Sequence, residues 1–179
     1  MMRLGAIAMV CIGAGVGVGA QRSGTPPPPV PTLTFAFEMH ANVGPPQEIG
    51  AVRGGRRRIV PITGGTFEGP GFRAKILPGG ADWQTIQADG FSELDTRYTI
   101  QTDSGGVVYV QNGGMRHAAP DVMEKLLAGQ TVDPSLVYFR TVPRFETSAP
   151  DLQWLTRSVF VGVGERYPDE VVIRFYRLE

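Results

Sequence analysis

Thr32-Leu33-Thr34-Phe35-Ala36-Phe37-Glu38-Met39-His40-Ala41 alternates strictly enough to read as a strand. Leu33, Phe35, Phe37 and Met39 point one way, and Thr34, Ala36, Glu38 and His40 the other, which is the period of a half-buried strand. Working outward, comparable runs occur at Arg57–Thr63, Phe72–Leu77, Trp83–Ala88, Leu94–Thr102, Val107–Asn112, Leu136–Val142, Ser158–Val163 and Val171–Leu178. Turn-forming residues separate them, among them Gly64-Gly65, Pro78-Gly79-Gly80, Asp103-Ser104-Gly105-Gly106, Gly113-Gly114 and Tyr167-Pro168-Asp169. Sequential hairpins with short turns predict an all-β chain: a single antiparallel up-and-down β-barrel of the calycin or lipocalin kind, with about 8–10 strands.

One helix interrupts the strands. Pro120 suits a first helical position, Asp121 and Glu124 suit the positive end of the helix, and Gly129 closes it. Val122, Met123, Leu126 and Leu127 form its apolar stripe, so it is expected to cover a barrel mouth or flank. Ala149–Thr156 reads as a second helical turn, opened by Pro150 and Asp151.

The ends account for part of the high Gly and Pro load, 24 and 15 of 179 residues. Residues 1–20 read as a cleavable signal peptide: Arg3 is the only charge, an apolar run follows, and Val18-Gly19-Ala20 offers small residues for cleavage. The run is short for a membrane span and is broken by glycines, so no stable membrane insertion is expected after cleavage. Residues 21–31 carry Pro26-Pro27-Pro28-Pro29-Val30-Pro31 and read as an extended linker, with the folded domain at 32–179. The expected compartment is periplasmic or secreted. Cleavage would remove Cys11, the sole cysteine, leaving a chain that relies on its core.

The charges cancel, 17 Lys plus Arg against 17 Asp plus Glu, which argues against a nucleic-acid partner. Two histidines, His40 and His117, cannot build a three-His zinc site, and no metal is expected. No P-loop, HExxH or EF-hand pattern occurs, and no serine sits in a G-x-S-x-G elbow. No cofactor is expected. Arginine outnumbers lysine 15 to 2, and Arg56-Arg57-Arg58 reads as a guarded strand edge or an anion contact.

The stretch Gly55–Leu178 resembles the bacterial and fungal family known as domain of unknown function 3237 (DUF3237, UPF0311-like). The resemblance is carried in order by Arg58-Ile59-Val60-Pro61-Ile62-Thr63-Gly64-Gly65-Thr66-Phe67-Glu68-Gly69-Pro70, by Leu77-Pro78-Gly79-Gly80-Ala81-Asp82-Trp83 and by Leu94-Asp95-Thr96-Arg97-Tyr98. It continues through Val110-Gln111-Asn112-Gly113-Gly114-Met115-Arg116, Tyr138-Phe139-Arg140-Thr141, Phe145-Glu146-Thr147 and Trp154-Leu155-Thr156. It implies a compact antiparallel barrel with a ligand-sized interior and no established general activity. The leader is a departure from many members, which look cytoplasmic.

Within these segments Asp82, beside Trp83, is a candidate general base whose pKa an apolar neighbour would raise. The competing reading is a turn carboxylate with Trp83 as a core anchor. Asp95 and Arg97 share one strand face, either as a ligand anchor inside the barrel or as a surface pair outside it. Arg116 is a candidate oxyanion stabiliser, and Tyr98 or His117 a proton donor. Asn112, Tyr138, Glu146 and Trp154 complete the candidate ligand-binding set.

Two function classes follow. One is an exported, cofactor-free acid–base enzyme of isomerase, lyase or cyclase type, acting on a small apolar or aromatic oxygenated molecule. The other is a non-catalytic periplasmic carrier whose aromatics, including Phe35, Phe37, Tyr109 and Phe139, wrap an apolar ligand. A homodimer through a strand edge is a further expectation.

Overall fold

The computed structural model describes residues 27–179, so the leader at 1–20 and the start of the linker lie outside the described residues. Residues 27–32 are exposed and carry no regular secondary structure. The strands are β1 (Leu33–Val43), β2 (Gln47–Val52), β3 (Gly55–Gly69), β4 (Phe72–Ile86), β5 (Ser92–Thr102), β6 (Val107–His117), β7 (Tyr138–Glu146), β8 (Phe160–Arg166) and β9 (Glu170–Leu178). All pairings are antiparallel. They run in the order β3-β4-β5-β6-β7-β8-β9-β1, and β1 pairs back onto β3 to close an eight-stranded barrel. β2 stands outside this ring as a flap paired to the start of β3.

Three glycine-rich segments that read as turns lie inside long strands instead: Gly113-Gly114 runs through β6 without a register shift, and the other two sit at irregularities of β3 and β4. Phe72–Leu77 and Trp83–Ala88 merge into β4, with the register shifted between Leu77 and Ala81 against β5. Across the ladder β3 shifts between Ile62 and Thr66, around Gly64 and Gly65. These are bulges that bend a barrel wall. Gly79 adopts φ +106°, which an L side chain resists, and a Cβ on Gly80 would lie 2.5 Å from Tyr98 Cβ. Glycine here serves close packing of neighbouring strands rather than chain reversal.

The alternation of β1 holds from Phe37 onward: Phe37, Met39 and Ala41 are buried. A register shift between Phe35 and Phe37 turns Phe35 outward, where it meets Tyr176 edge-on, and Leu33 is exposed. The opening expectation that all four apolar residues share the core face is therefore corrected by one bulge.

The helix α1 (Pro120–Leu127) starts at Pro120 as expected, with Val122, Met123 and Leu126 buried. A 3-10 turn at Pro150–Leu152 runs into α2 (Gln153–Thr156), burying Leu152 and Leu155. The α2 end of the barrel is packed with aromatic rings. Phe37 lies 5.1–6.4 Å from Phe67, Phe72, Phe145, Trp154, Phe160 and Phe175 by ring centroid. That half of the interior is solid core.

Candidate functional site

The other half of the barrel interior carries a cluster of polar side chains set in a largely apolar lining. Strand parity puts Asp82 and Gln84 of β4, Thr96 and Tyr98 of β5, Asn112 and Arg116 of β6 and Thr141 of β7 on one inward surface. Met39, Ile62, Phe139 and Ile173 complete the walls. They enclose an inner chamber of about 40 Å³, room for a few water molecules or one small polar group. An outer chamber of about 260 Å³ continues from it at the mouth. Val60, Gln84, Arg116 and Arg166 line both. The outer walls add Arg58, the β8–β9 turn at Pro168 and the C-terminal end of α1, so the helix does flank a mouth.

Asp82 accepts hydrogen bonds from Gln84 Nε2 at 2.6 Å and from Thr96 Oγ1 at 2.9 Å. Desolvation pushes its carboxyl above the ordinary carboxylate range; those two bonds and the positive charge of Arg116 pull against this without cancelling it. Arg116 is 3% exposed. Burial holds its pKa down at about 10, the attraction of Asp82 opposes this, and the nearby Arg166 and Arg58 lower it further. Its guanidinium carbon lies 5.7 Å from the Phe139 ring centroid.

Among the described residues, four buried side-chain polar atoms have no protein partner: Gln84 Oε1, Asn112 Oδ1, Arg116 Nε and Thr141 Oγ1. All four residues line the inner chamber. Buried polar groups are normally paired, and leaving one unmet costs about 1–3 kcal/mol. Four on residues that line one cavity single it out as the candidate site.

Tyr98 also reaches this chamber, but its hydroxyl donates to Met39 Sδ at 3.3 Å. Burial pushes its phenol far above the usual value. It is a neutral hydrogen-bonding group at the chamber floor.

The family model described as protein of unknown function (DUF3237) matches residues 31–178. The chain belongs to the DUF3237 family. A UPF0311 protein of Rhodopseudomonas palustris (strain TIE-1) is 44% identical over 142 residues, covering 79% of this chain and 93% of that protein. The crystal structure of a conserved R. palustris protein of unknown function matches with a TM-score of 0.81 at 41% identity, covering 85% of this chain and 99% of that one. The crystal structure of an enzyme from Penicillium herquei matches with a TM-score of 0.64 at 23% identity, over 87% of this chain and 99% of that one. At that distance the likeness is one of fold alone.

In this DUF3237 barrel the sequence-predicted residues divide into two groups. Asp82, Tyr98, Asn112 and Arg116 come together in the inner chamber. Trp83, Asp95 and Arg97 alternate away from it and border a shallow outer depression with Arg57. There Arg97 and Asp95 form an ion pair at 2.9 Å with both side chains nearly half exposed. His117 stacks between Phe91 and Tyr138 on the outer surface, at 5.9 and 4.8 Å. Glu146 is exposed, and Trp154 packs against Phe37, Phe72 and Phe160 at the solid end. Of the aromatics offered for an apolar ligand, Phe37 and Phe139 are buried core, while Phe35, Tyr109 and Tyr138 sit outside.

Sequence reasoning missed Gln84, Thr96, Thr141 and Arg166, and offered Arg58 only within the Arg56-Arg57-Arg58 run, as a strand-edge guard or an anion contact. Thr96 carried a usable signal: it is the one polar residue in the row Leu94, Thr96, Tyr98, Ile100, whose other members are buried. Gln84 has the parity of Asp82. Arg166 sits beside a turn and gave no pattern to read.

Proposed function

We propose that the polar half of this barrel binds a small oxygenated molecule and carries out cofactor-free acid–base chemistry on it. The observation that carries the reading is the convergence of four unpartnered buried polar atoms beside a desolvated carboxylate. Asp82 removes a proton from carbon next to a carbonyl. The electron pair moves onto the carbonyl oxygen, where Arg116 meets the developing negative charge. Asp82, now protonated, returns the proton to a different atom, giving an isomerisation, elimination or ring closure.

Asp82 alone handles the proton in this scheme. Tyr98 is committed to Met39 and His117 lies on the outer surface. Tyr98 contributes shape and a dipole at the chamber floor. Asn112 and Thr141 orient the substrate oxygens. The leader-like residues 1–20 support export, so the reaction belongs to the periplasm or the medium.

The test is wash-in of solvent deuterium into a panel of small carbonyl compounds, followed by proton NMR. Wild-type protein is expected to catalyse exchange in at least one of them, and Asp82→Asn to abolish it while still binding. Binding without exchange in the wild type would replace this reading with that of a carrier barrel. Mass spectrometry of the exported chain is expected to show a new N-terminus near Gln21; an intact leader would refute export by this route.

A further inference from the structure

The outer chamber holds three guanidinium groups, Arg58, Arg116 and Arg166. Two of the three have structural partners. Arg58 Nε donates to Glu48 at 2.6 Å, and Arg58 reaches Leu127 O at 3.4 Å. Arg166 donates to Pro168 O at 3.1 Å and to Glu170 O at 3.3 Å, bracing the β8–β9 turn. Arg116 Nε is buried with no protein partner. Asp82 acts on Arg116 through its charge, not through a hydrogen bond.

The negative groups facing this mouth do not balance it. Glu48 is shared between Arg56 and Arg58. Asp169 acts on Arg166, and Asp82 is the only carboxylate among the residues lining the inner chamber. Like charges gathered around a buried guanidinium are costly unless an anion joins them. The chamber is also walled by Pro46, Val60, Leu126 and Leu127, which suit a short hydrocarbon body.

We propose that Arg116, with Arg166 and Arg58 beside it, seats a carboxylate of the ligand in the outer chamber, so that the substrate class is a small oxygenated carboxylic acid. Its oxygen-bearing end enters the inner chamber, where Gln84, Asn112 and Thr141 offer unpaired hydrogen-bonding groups. A planar guanidinium matches a carboxylate in a two-point fork, whereas an ammonium supplies only a point charge. Arg166 and Arg58 act as specificity residues for the acid, and neither takes part in proton transfer. The inference rests on the acid–base reading of the same cavity.

The test is a titration followed by NMR of arginine Nε–H and side-chain amide signals, with three probes: 3-hydroxybutyrate, its methyl ester, and inorganic phosphate. The acid is expected to shift Arg116 and Arg166 Nε–H together with the Gln84 and Asn112 amides. The ester is expected to bind at least about tenfold more weakly. Arg166→Gln is expected to weaken the acid by about tenfold and leave the ester unchanged. Arg166 braces a turn, so Arg58→Gln provides the same comparison if the first variant misfolds.

Equal binding of acid and ester, with the Gln84 and Asn112 amides shifted, would overturn the carboxylate seat and leave the acid–base reading standing. Shifts at the arginines alone would support the seat and count against chemistry in the inner chamber. Phosphate binding more tightly than the acid would reassign the seat to phosphate and overturn the proposal. No response from any probe up to tens of millimolar would overturn both readings.

Discussion

Replacing Arg116 with Met is expected to stabilise the ligand-free protein, the reverse of what truncating a buried side chain normally does. The depression of the Arg116 pKa to about 10 corresponds to roughly 3 kcal/mol of disfavoured positive charge at neutral pH. Methionine keeps the unbranched apolar stem, stops short of the guanidinium, and removes the charge, the orphaned Nε and the repulsion from Arg58 and Arg166. Against this, the variant loses the contact of Arg116 with the Phe139 ring, worth about 1 kcal/mol. It also leaves the desolvated Asp82 without its positive neighbour. The net gain is then about 1–2 kcal/mol, or a Tm rise of about 2–8 °C for a domain of this size. Thermal unfolding followed by circular dichroism measures it. The sign of the pH dependence follows from the same shift. The unfolded chain binds the Arg116 proton more tightly than the folded chain, so the penalty is complete at neutral pH and fades as pH rises past about 10. The advantage of the variant should shrink over that range. A natively folded Arg116→Met protein with a Tm several degrees below wild type would refute the reasoning and make Arg116 a structural residue.

Asp82→Asn is expected to raise stability at neutral pH for a related reason: burial lifts the Asp82 pKa, so its cost is present above that value and vanishes as pH falls through it. Urea unfolding at neutral and acidic pH should show the difference between wild type and variant closing in acid; a constant difference would contradict the shift. His40 lies on the outer face between Glu38 at 2.9 Å and Glu170 at 3.0 Å, and its pKa is raised, chiefly by the hydrogen bond to Glu38. Its stabilising contribution is present below the ordinary histidine value and lost as pH rises through the raised one, so His40→Ala should lower Tm in mild acid and not in mild alkali. The side chain is 42% exposed, which keeps the effect under about 1 kcal/mol. Gly80→Ala should cost about 1–3 kcal/mol by forcing β4 away from Tyr98; an unchanged denaturation midpoint would show that the bulge has slack.

The barrel was legible because period-two alternation and turn residues are local signals. β5 shows how far this reaches: Leu94, Tyr98 and Ile100 are buried, and Asp95 and Arg97 face out. Which face meets the interior depends on closure, and closure depends on β1 pairing with β9 at the far end of the chain as well as with β3. That is why the Asp95–Arg97 pair could be placed on one face of the strand and not on one side of the wall. Pro78-Gly79-Gly80 failed as a turn signal for a similar reason. The residues that permit a reversal also permit a bulge, and the length of the partner strand decides between them. The site was partly legible because Asp82, Asn112 and Arg116 lie on regular strands. Arg58 and Arg166 join it only because the strand ends that carry them meet at one mouth.

The contrast between the two ends of the barrel argues that the polar half is a site rather than an imperfect core. Elsewhere this chain meets its buried polar groups: Ser92 Oγ donates to Gly90 O, and Thr102 Oγ1 donates to Gly106 O. Among the described residues, the buried side-chain atoms left unmet all belong to residues of one chamber. A chain that merely tolerated unsatisfied groups would scatter them. A structural barrel of this size could fill both halves with rings, as it fills the end around Phe37. Holding Asp82 and Arg116 in the same interior, near enough to feel each other's charge and without a hydrogen bond between them, keeps both available to a third party. Pairing them directly would relieve both and leave neither free for chemistry. The stability given up at this end is the expected signature of function, and the gain expected for Arg116→Met measures it.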